Sequence, residues 1–214
     1  MQKSTIQFSL TKVIIVLFFA SCSSVNVVKD YESVSIEKQF FQNTYFNNSE
    51  IDYVYKANIS VYGNNLTGIF IAKKINRTTH RVVFTTEFGN KLFDIEISET
   101  EFKINSIVDE LNKKILINTL KTDFRLLFKT DFLVSEQYQN KTYKVIKTTD
   151  NRRFNYLFFT TSNNKLDKII QTTKTKEKIS ISFSSENNIF AQNIIVQHYN
   201  IPMKIEFNNL KQNQ

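Results

Sequence analysis

Few residues of this sequence have the types and spacing that acid–base or metal chemistry needs. Asp94 and Glu96 lie two positions apart, so on a β-strand both carboxylates would share one face, as a general acid and base must. Alternating charges on the solvent face of a strand explain the same spacing more simply. The two histidines, His80 and His198, have no metal-binding side chain three or four positions after them. We therefore expect neither an acid–base pair nor a metal site.

The loops that hold phosphate groups or a nucleophilic serine are also missing from the sequence. Its 214 residues include three glycines, with no Gly-x-Ser-x-Gly elbow and no glycine-rich phosphate loop. The sequence thus predicts a protein that is not an enzyme and that uses no cofactor.

Cys22, the one cysteine, is the residue whose surroundings indicate a reaction. An apolar run over residues 13–20 precedes it and follows the basic Lys12. This run is too short to cross a membrane, which takes ~20 residues, and has the length of a signal-peptide core. The segment Ala20-Ser21-Cys22 resembles a bacterial lipobox, in which the thiol is acylated, although Phe19 stands where leucine is usual. An ordinary signal peptide with a chance cysteine and a short anchor helix are the alternatives.

The lipobox interpretation divides the chain into three parts. Residues 1–21 would be a lipoprotein signal peptide, residues 22–47 a lipidated tether with a short element around Ile36–Tyr45, and residues 48–214 the folded domain. The segment 23–28 contains no acidic residue, and so lacks the aspartate typical of lipoproteins kept in the inner membrane. We therefore expect a lipid-anchored protein of the outer membrane that faces the periplasm.

Charge and composition narrow the class of partner. Lys and Arg total 28 against 20 acidic residues, a net charge of +8 that is spread along the chain and not clustered. Nucleic-acid binding requires a clustered basic face, so we expect no nucleic-acid partner. We also expect a monomeric protein. The 20 phenylalanines, with three glycines and one proline, are typical of long, regular elements with a large aromatic core.

Alternation of apolar and polar residues predicts a chain of antiparallel strands. The pattern is clearest over residues 51–61, which Gly63-Asn64-Asn65 would end as a turn. A second turn at Gly89-Asn90 predicts a tight hairpin. The further predicted strands are Leu66–Ile75, Arg81–Phe88, Leu92–Ile97, Phe102–Ile104, Thr142–Thr148, Phe154–Thr161, Leu166–Thr173, Ile179–Ser184, Ile189–Tyr199 and Met203–Phe207.

Between these two groups of strands the apolar period becomes helical. Apolar residues recur at helical spacing from Ile104 to Ile115, and Ser106 with Asp109 fits a capping box. A second apolar face continues to about Lys129. We predict a mainly β (α+β) fold, a half-open antiparallel β-barrel of about ten or eleven strands, with residues 104–129 as a helical lid.

This order of lipobox, strand meander, helix and second meander resembles the LolA/LolB-like lipoprotein carriers, most closely the outer-membrane LolB-like type, so that the folded domain would be a LolB-like half-barrel. The segment Leu66–Ile75 looks like the strand after the first hairpin of that type. The segment Thr86–Leu92 resembles its threonine, x, proline, leucine, glycine loop, whose apolar residue before glycine enters the membrane. Here Glu87 replaces the proline and Phe88, before Gly89, replaces the leucine. The resemblance implies that Phe88 and Gly89 form a membrane-contact loop, unless Phe88 is simply the last inward residue of its strand.

The resemblance also implies an apolar cavity that receives acyl chains of membrane lipid or of lipoproteins, supplied by a periplasmic LolA-like carrier and passed to the outer-membrane surface. A solidly packed core is the alternative interpretation of the same side chains, and would indicate a structural or interaction lipoprotein of an envelope complex. The predicted lining residues are Tyr53, Tyr55, Ile59, Phe84, Phe93, Ile95, Leu111, Ile115, Phe124, Phe158, Ile181 and Phe183.

Overall fold

A single curved sheet of fourteen strands forms most of the protein. The computed structural model describes residues 25–187 and 189–210. The strands are β1 (Glu32–Val34), β2 (Phe40–Gln42), β3 (Asp52–Val61), β4 (Asn64–Lys74), β5 (His80–Thr85), β6 (Lys91–Ile97), β7 (Phe102–Ile107), β8 (Asp131–Gln139), β9 (Tyr143–Asp150), β10 (Arg153–Thr160), β11 (Leu166–Thr172), β12 (Glu177–Ser184), β13 (Asn193–His198) and β14 (Met203–Asn209). One helix, α1 (Lys114–Leu127), joins β7 to β8.

The strand order confirms the predicted fold class. The sheet runs β1-β8-β9-β10-β11-β12-β13-β14-β3-β4-β5-β6-β7, with β2 also paired to β8, and every pairing is antiparallel. Because the path ends at β7 on one side and at β1 and β2 on the other, the barrel is open. The inward side chains of both halves and of α1 form one hydrophobic core.

The helix is shorter than the sequence pattern predicted. Residues 102–107 form β7, which pairs with β6, and Ser106 lies in that strand opposite Asp94 instead of capping a helix. The helix begins at Lys114, after a capping residue, Lys113, that makes no side-chain capping bond. The prediction was wrong over residues 104–113 because pairing with β6 outweighs the local helical period.

Three strands were not predicted as strands, and two of them lie in the predicted tether, where the sequence indicated one short element around residues 36–45. Residues 32–34 and 40–42 pair with β8, and Tyr45 and Phe46 are buried in the core. The third is β8 itself, whose alternation is broken by a register shift between Val134 and Glu136 and by a buried glutamine, Gln137. The sheet therefore has more strands than the ten or eleven predicted.

The hairpin between β3 and β4 turns one residue earlier than predicted. Tyr62 and Gly63 form the loop with φ angles of 48° and 81°, and Asn64 and Asn65 already belong to β4. Both central residues of such a two-residue turn need positive φ, which glycine tolerates and tyrosine does not. Tyr62 is thus held in a strained backbone conformation at an exposed hairpin tip.

Candidate functional site

Most of the predicted cavity-lining residues lie in the densely packed interior. Ten of the twelve are buried side chains of the main core: Tyr53, Tyr55, Ile59, Phe84, Phe93, Ile95, Leu111, Phe124, Ile181 and Phe183. They stack on one another and on neighbouring rings, as Tyr45 does on Phe183 with ring centroids 4.7 Å apart. In this structure these side chains fill the space between the sheet and α1.

Phe158 lies on the opposite face of the sheet from the predicted one. It packs with Val28 and Val145 in a second cluster, and the Lys168 ammonium group lies 4.6 Å from its ring centre. Leu157 and Phe159 face the main core instead. The assignment was wrong because β10 is apolar on both faces, so alternation alone could not say which face is inside.

Ile115, the twelfth predicted residue, is 56% exposed and lines an apolar groove at the beginning of α1. The groove has a volume of about 420 Å³ and lies between the first turns of α1 and the hairpin tips next to it. Its lining residues are Val61, Tyr62, Asn64, Leu66, Glu110, Leu111, Lys113, Ile115, Leu116, Thr119, Ile201 and Met203. The groove is therefore an apolar surface that water reaches, and it adjoins the core at Leu111 and Met203.

A second, larger cleft of about 720 Å³ lies at the other end of α1 and is lined by both polar and apolar residues. The Arg125 side chain reaches from the helix to the carbonyl oxygens of Ser98 and Thr100, at 3.1 and 3.0 Å. Lys129 lies within 3.3 Å of Glu99 and 3.7 Å of Asp150. These contacts bind the end of α1 to the sheet through charged groups.

The middle of α1 is held by one large ring and one buried polar pair. The Phe124 ring contacts Phe70 and Phe93, with centroids 5.5 and 6.4 Å apart. On the residue before Phe124, the Asp123 carboxylate lies 2.9 Å from Nε2 of His198. Burial raises the pKa of Asp123 above its ordinary value, and the nearby His198 offsets part of that rise.

Two further candidate groups from the sequence, His80 and Asp94, make contacts within the fold. The Nε2 atom of His80 lies 2.7 Å from the carbonyl oxygen of Phe46, and burial lowers the pKa of this histidine. Asp94 faces outward, away from the core, beneath Arg81 and Lys91, which approach it to 2.7 and 3.0 Å. Throughout the described part of the chain, no three His, Cys, Asp or Glu side chains gather where they could hold a metal ion.

The predicted membrane-contact loop protrudes. Phe88 is 95% exposed at the tip of the β5–β6 turn, and Gly89 follows it with a φ of 87°. The alternative, that Phe88 is an inward residue of its strand, is wrong because β5 ends at Thr85. Cys22 and the signal peptide lie outside the described residues. No helix within residues 25–187 or 189–210 is long and apolar enough to cross a membrane.

Neither a protein-family model nor a curated protein matches the sequence. Among solved structures the chain is similar to a LolA superfamily protein from Nitrosomonas europaea, with 8% identity, a TM-score of 0.49, and 78% of this chain and 87% of that one covered. An outer membrane lipoprotein-sorting protein domain from Vibrio parahaemolyticus matches with 8% identity, a TM-score of 0.47, and coverage of 79% and 89%. A DUF1329 family protein from Desulfovibrio piger matches with 10% identity, a TM-score of 0.45, and coverage of 78% and 86%.

Proposed function

We propose that this protein is a non-catalytic lipoprotein that binds an acyl chain of a lipid or of an acylated protein inside its open barrel. The observation that supports this function most directly is the groove at the beginning of α1. It leaves isoleucine and tyrosine side chains in water at a place that adjoins the aromatic core. An acyl chain that covers this surface gains ~25 cal/mol for each Å² of apolar area removed from water.

The helix would have to move for a longer chain to enter. The buried residues of α1 are Leu120, Asp123, Phe124, Leu126 and Leu127, so its inner side is apolar except for Asp123. An acyl chain in the place of α1 would contact the same rings that this apolar side contacts now, so the exchange conserves most of the buried apolar surface. Binding and release then need no covalent step, only a helix that leaves the sheet and returns.

The wider role that we propose is reception of acylated cargo at the outer membrane, in the manner of a LolB-like protein. Cys22 would carry the lipid anchor, and Phe88 would contact the bilayer. A periplasmic LolA-like carrier would be the donor of the cargo. The open barrel and the protruding Phe88 support this role.

Ile115→Asp tests acyl-chain binding without a penalty to folding. Ile115 lies in the first turn of α1, which contains no acidic residue, so a carboxylate there interacts favourably with the helix dipole. We expect the variant to keep its thermal stability and to lose roughly tenfold in affinity for a fluorescent fatty acyl probe, about 1.4 kcal/mol. Ile75→Asp is the control, since Ile75 is 45% exposed at a distant turn. Equal affinity in both variants would contradict the proposal.

Cys22→Ala tests the lipid anchor. We expect the normal protein to carry an acylated N-terminal cysteine by mass spectrometry and to stay with the outer-membrane fraction. The variant should be released from the membrane, because the anchor is gone. A variant that stays bound after cleavage of its signal would refute lipidation as the means of attachment.

The second candidate function is that of a structural or interaction lipoprotein of an envelope complex, and the filled interior favours it. A protein of this second class would carry no lipid when purified. Native mass spectrometry of the purified protein separates the two candidates, since only the first predicts co-purified lipid.

A further inference from the structure

The antiparallel pairing of the strands brings three turns together along one part of the rim of the sheet. Successive strands run in opposite directions, so alternate turns lie on opposite rims. The three turns are residues 62–63, 173–176 and 199–202. The opposite rim carries the turns at residues 75–79, 98–101, 140–142, 161–165 and 185–192.

Backbone hydrogen bonds join part of the first rim into a continuous surface. The Val25 N–H donates to the carbonyl oxygen of Lys174 at 3.0 Å, and the Tyr199 N–H donates to that of Lys178 at 3.1 Å. The Tyr62 N–H donates to the carbonyl oxygen of Pro202 at 3.0 Å. We call this surface, made of Val25, residues 174–178, residues 199–202 and Tyr62, the anchor rim. It runs from the first described residue to the apolar groove, which Tyr62 and Ile201 line.

The anchor rim has the chemistry of a surface that lies on lipid headgroups. Lys174 and Lys176 are exposed, and the one acidic residue between them and Lys178, Glu177, is half-buried. Tyr62 and Tyr199 are 52% and 55% exposed. Tyrosine rings prefer the boundary between water and hydrocarbon, and lysines are attracted to anionic headgroups.

The position of the chain terminus indicates what covers this rim. Three residue steps separate Cys22 from Val25, so a lipid on Cys22 lies within ~11 Å of Val25 at 3.8 Å per step. An anchor this short cannot hold the protein away from the bilayer, and it begins beside Lys174.

We propose that the anchor rim lies flat on the anionic membrane surface, with the mouth of the apolar groove facing the bilayer into which the Cys22 lipid inserts. This inference depends on the lipidation of Cys22 that is part of the proposed function. It adds an orientation, in which an acyl chain passes between groove and membrane without crossing water.

The absence of tryptophan from the sequence makes a direct test possible. Tyr199→Trp places a single fluorophore on the anchor rim, and Thr142→Trp places one on an exposed turn of the opposite rim. Each lipidated full-length variant is reconstituted in vesicles of phosphatidylcholine and phosphatidylglycerol whose acyl chains are brominated near the glycerol. We expect strong quenching for Tyr199→Trp and none for Thr142→Trp.

Charge reversal tests the basic part of the rim in the same vesicles. Lys174→Glu with Lys176→Glu, added to Tyr199→Trp, should reduce the quenching at least about twofold, because anionic headgroups then repel the rim. Arg77→Glu with Lys141→Glu reverses two charges on the opposite rim and should leave the quenching unchanged. Two results with an anchored protein would overturn the orientation. One is equal quenching at both rims. The other is no quenching of Tyr199→Trp, which is expected if this rim binds a protein partner instead. Loss of anchoring itself is measured separately by flotation, and would refute the lipidation instead.

Discussion

Asp123 of α1 and His198 of β13 meet inside the protein, with Oδ2 and Nε2 2.9 Å apart. Asp123 is completely buried, and within the described residues no group donates a hydrogen bond to its other oxygen, Oδ1. A buried carboxylate with an unpaired oxygen costs free energy that water would recover. The pair ties α1 to the sheet. If water reached it, Oδ1 would gain a hydrogen bond, and this gain would favour release of the helix.

The burial of Asp123 predicts a stability that falls as pH rises. Its pKa is raised, so the folded protein binds a proton more tightly than the unfolded chain does, and the free energy of unfolding decreases from about pH 4 upward. We expect Asp123→Asn to remove this dependence. Urea unfolding of both proteins from pH 4 to pH 8 measures it, and parallel curves would contradict the expectation.

Asp94 predicts the opposite dependence. Hydrogen bonds and ion pairs with Arg81 and Lys91 hold the pKa of Asp94 well below its ordinary value. The folded state therefore binds fewer protons, and stability is gained above the ordinary pKa and lost as the pH falls below it. Asp94→Asn should be less stable than the normal protein at pH 7 and equally stable at acid pH. Because Arg81 is half-exposed, we expect a modest effect.

Tyr62 predicts a trade-off between stability and binding. Its positive φ strains a tyrosine by roughly 1 kcal/mol, whereas asparagine adopts this conformation readily. We expect Tyr62→Asn to raise the free energy of unfolding by about that amount and to weaken capture of the acyl probe, because the ring lines the groove. Tyr62→Phe keeps both ring and strain and should change neither quantity. A stabilised Tyr62→Asn variant with unchanged capture would remove Tyr62 from the site.

Replacing Phe88 should reduce the transfer of cargo to vesicles without affecting folding. The side chain makes few contacts at 95% exposure, so Phe88→Glu should change stability by less than about 0.5 kcal/mol. Acyl-probe binding should persist, while transfer of bound cargo to vesicles should fall, since a charged tip resists contact with the bilayer. Asn90→Glu is the control, because it adds the same charge to the same turn but keeps the Phe88 ring. If both variants deliver cargo normally, the loop has no role in transfer.

The positions of the regular strands in the second half could be predicted from the sequence. Each of these strands buries one face, and this produces an alternation of apolar and polar residues with a period of two. The strands around Ile181 and Ile205 lie within a residue or two of their predicted positions. The inward set that includes Tyr53, Phe84 and Phe93 followed from the same alternation. The hairpin at Gly89 was predicted, whereas the sequence left open whether Phe88 faces inward or protrudes, as it does.

Only the tertiary structure showed which face points inward in strands that are apolar on both faces. The two apolar faces of β10 made Phe158 and Phe159 indistinguishable until the segment around Val28 was seen to cover the outer face. Pairing with β6 converted residues 102–107 from predicted helix to strand. The groove, the Asp123–His198 pair and the anchor rim all join residues far apart in the chain. Strand pairing and the packing of α1 on the sheet bring such residues together. The sequence does not show this, because local periodicity records which face is buried and not which element buries it.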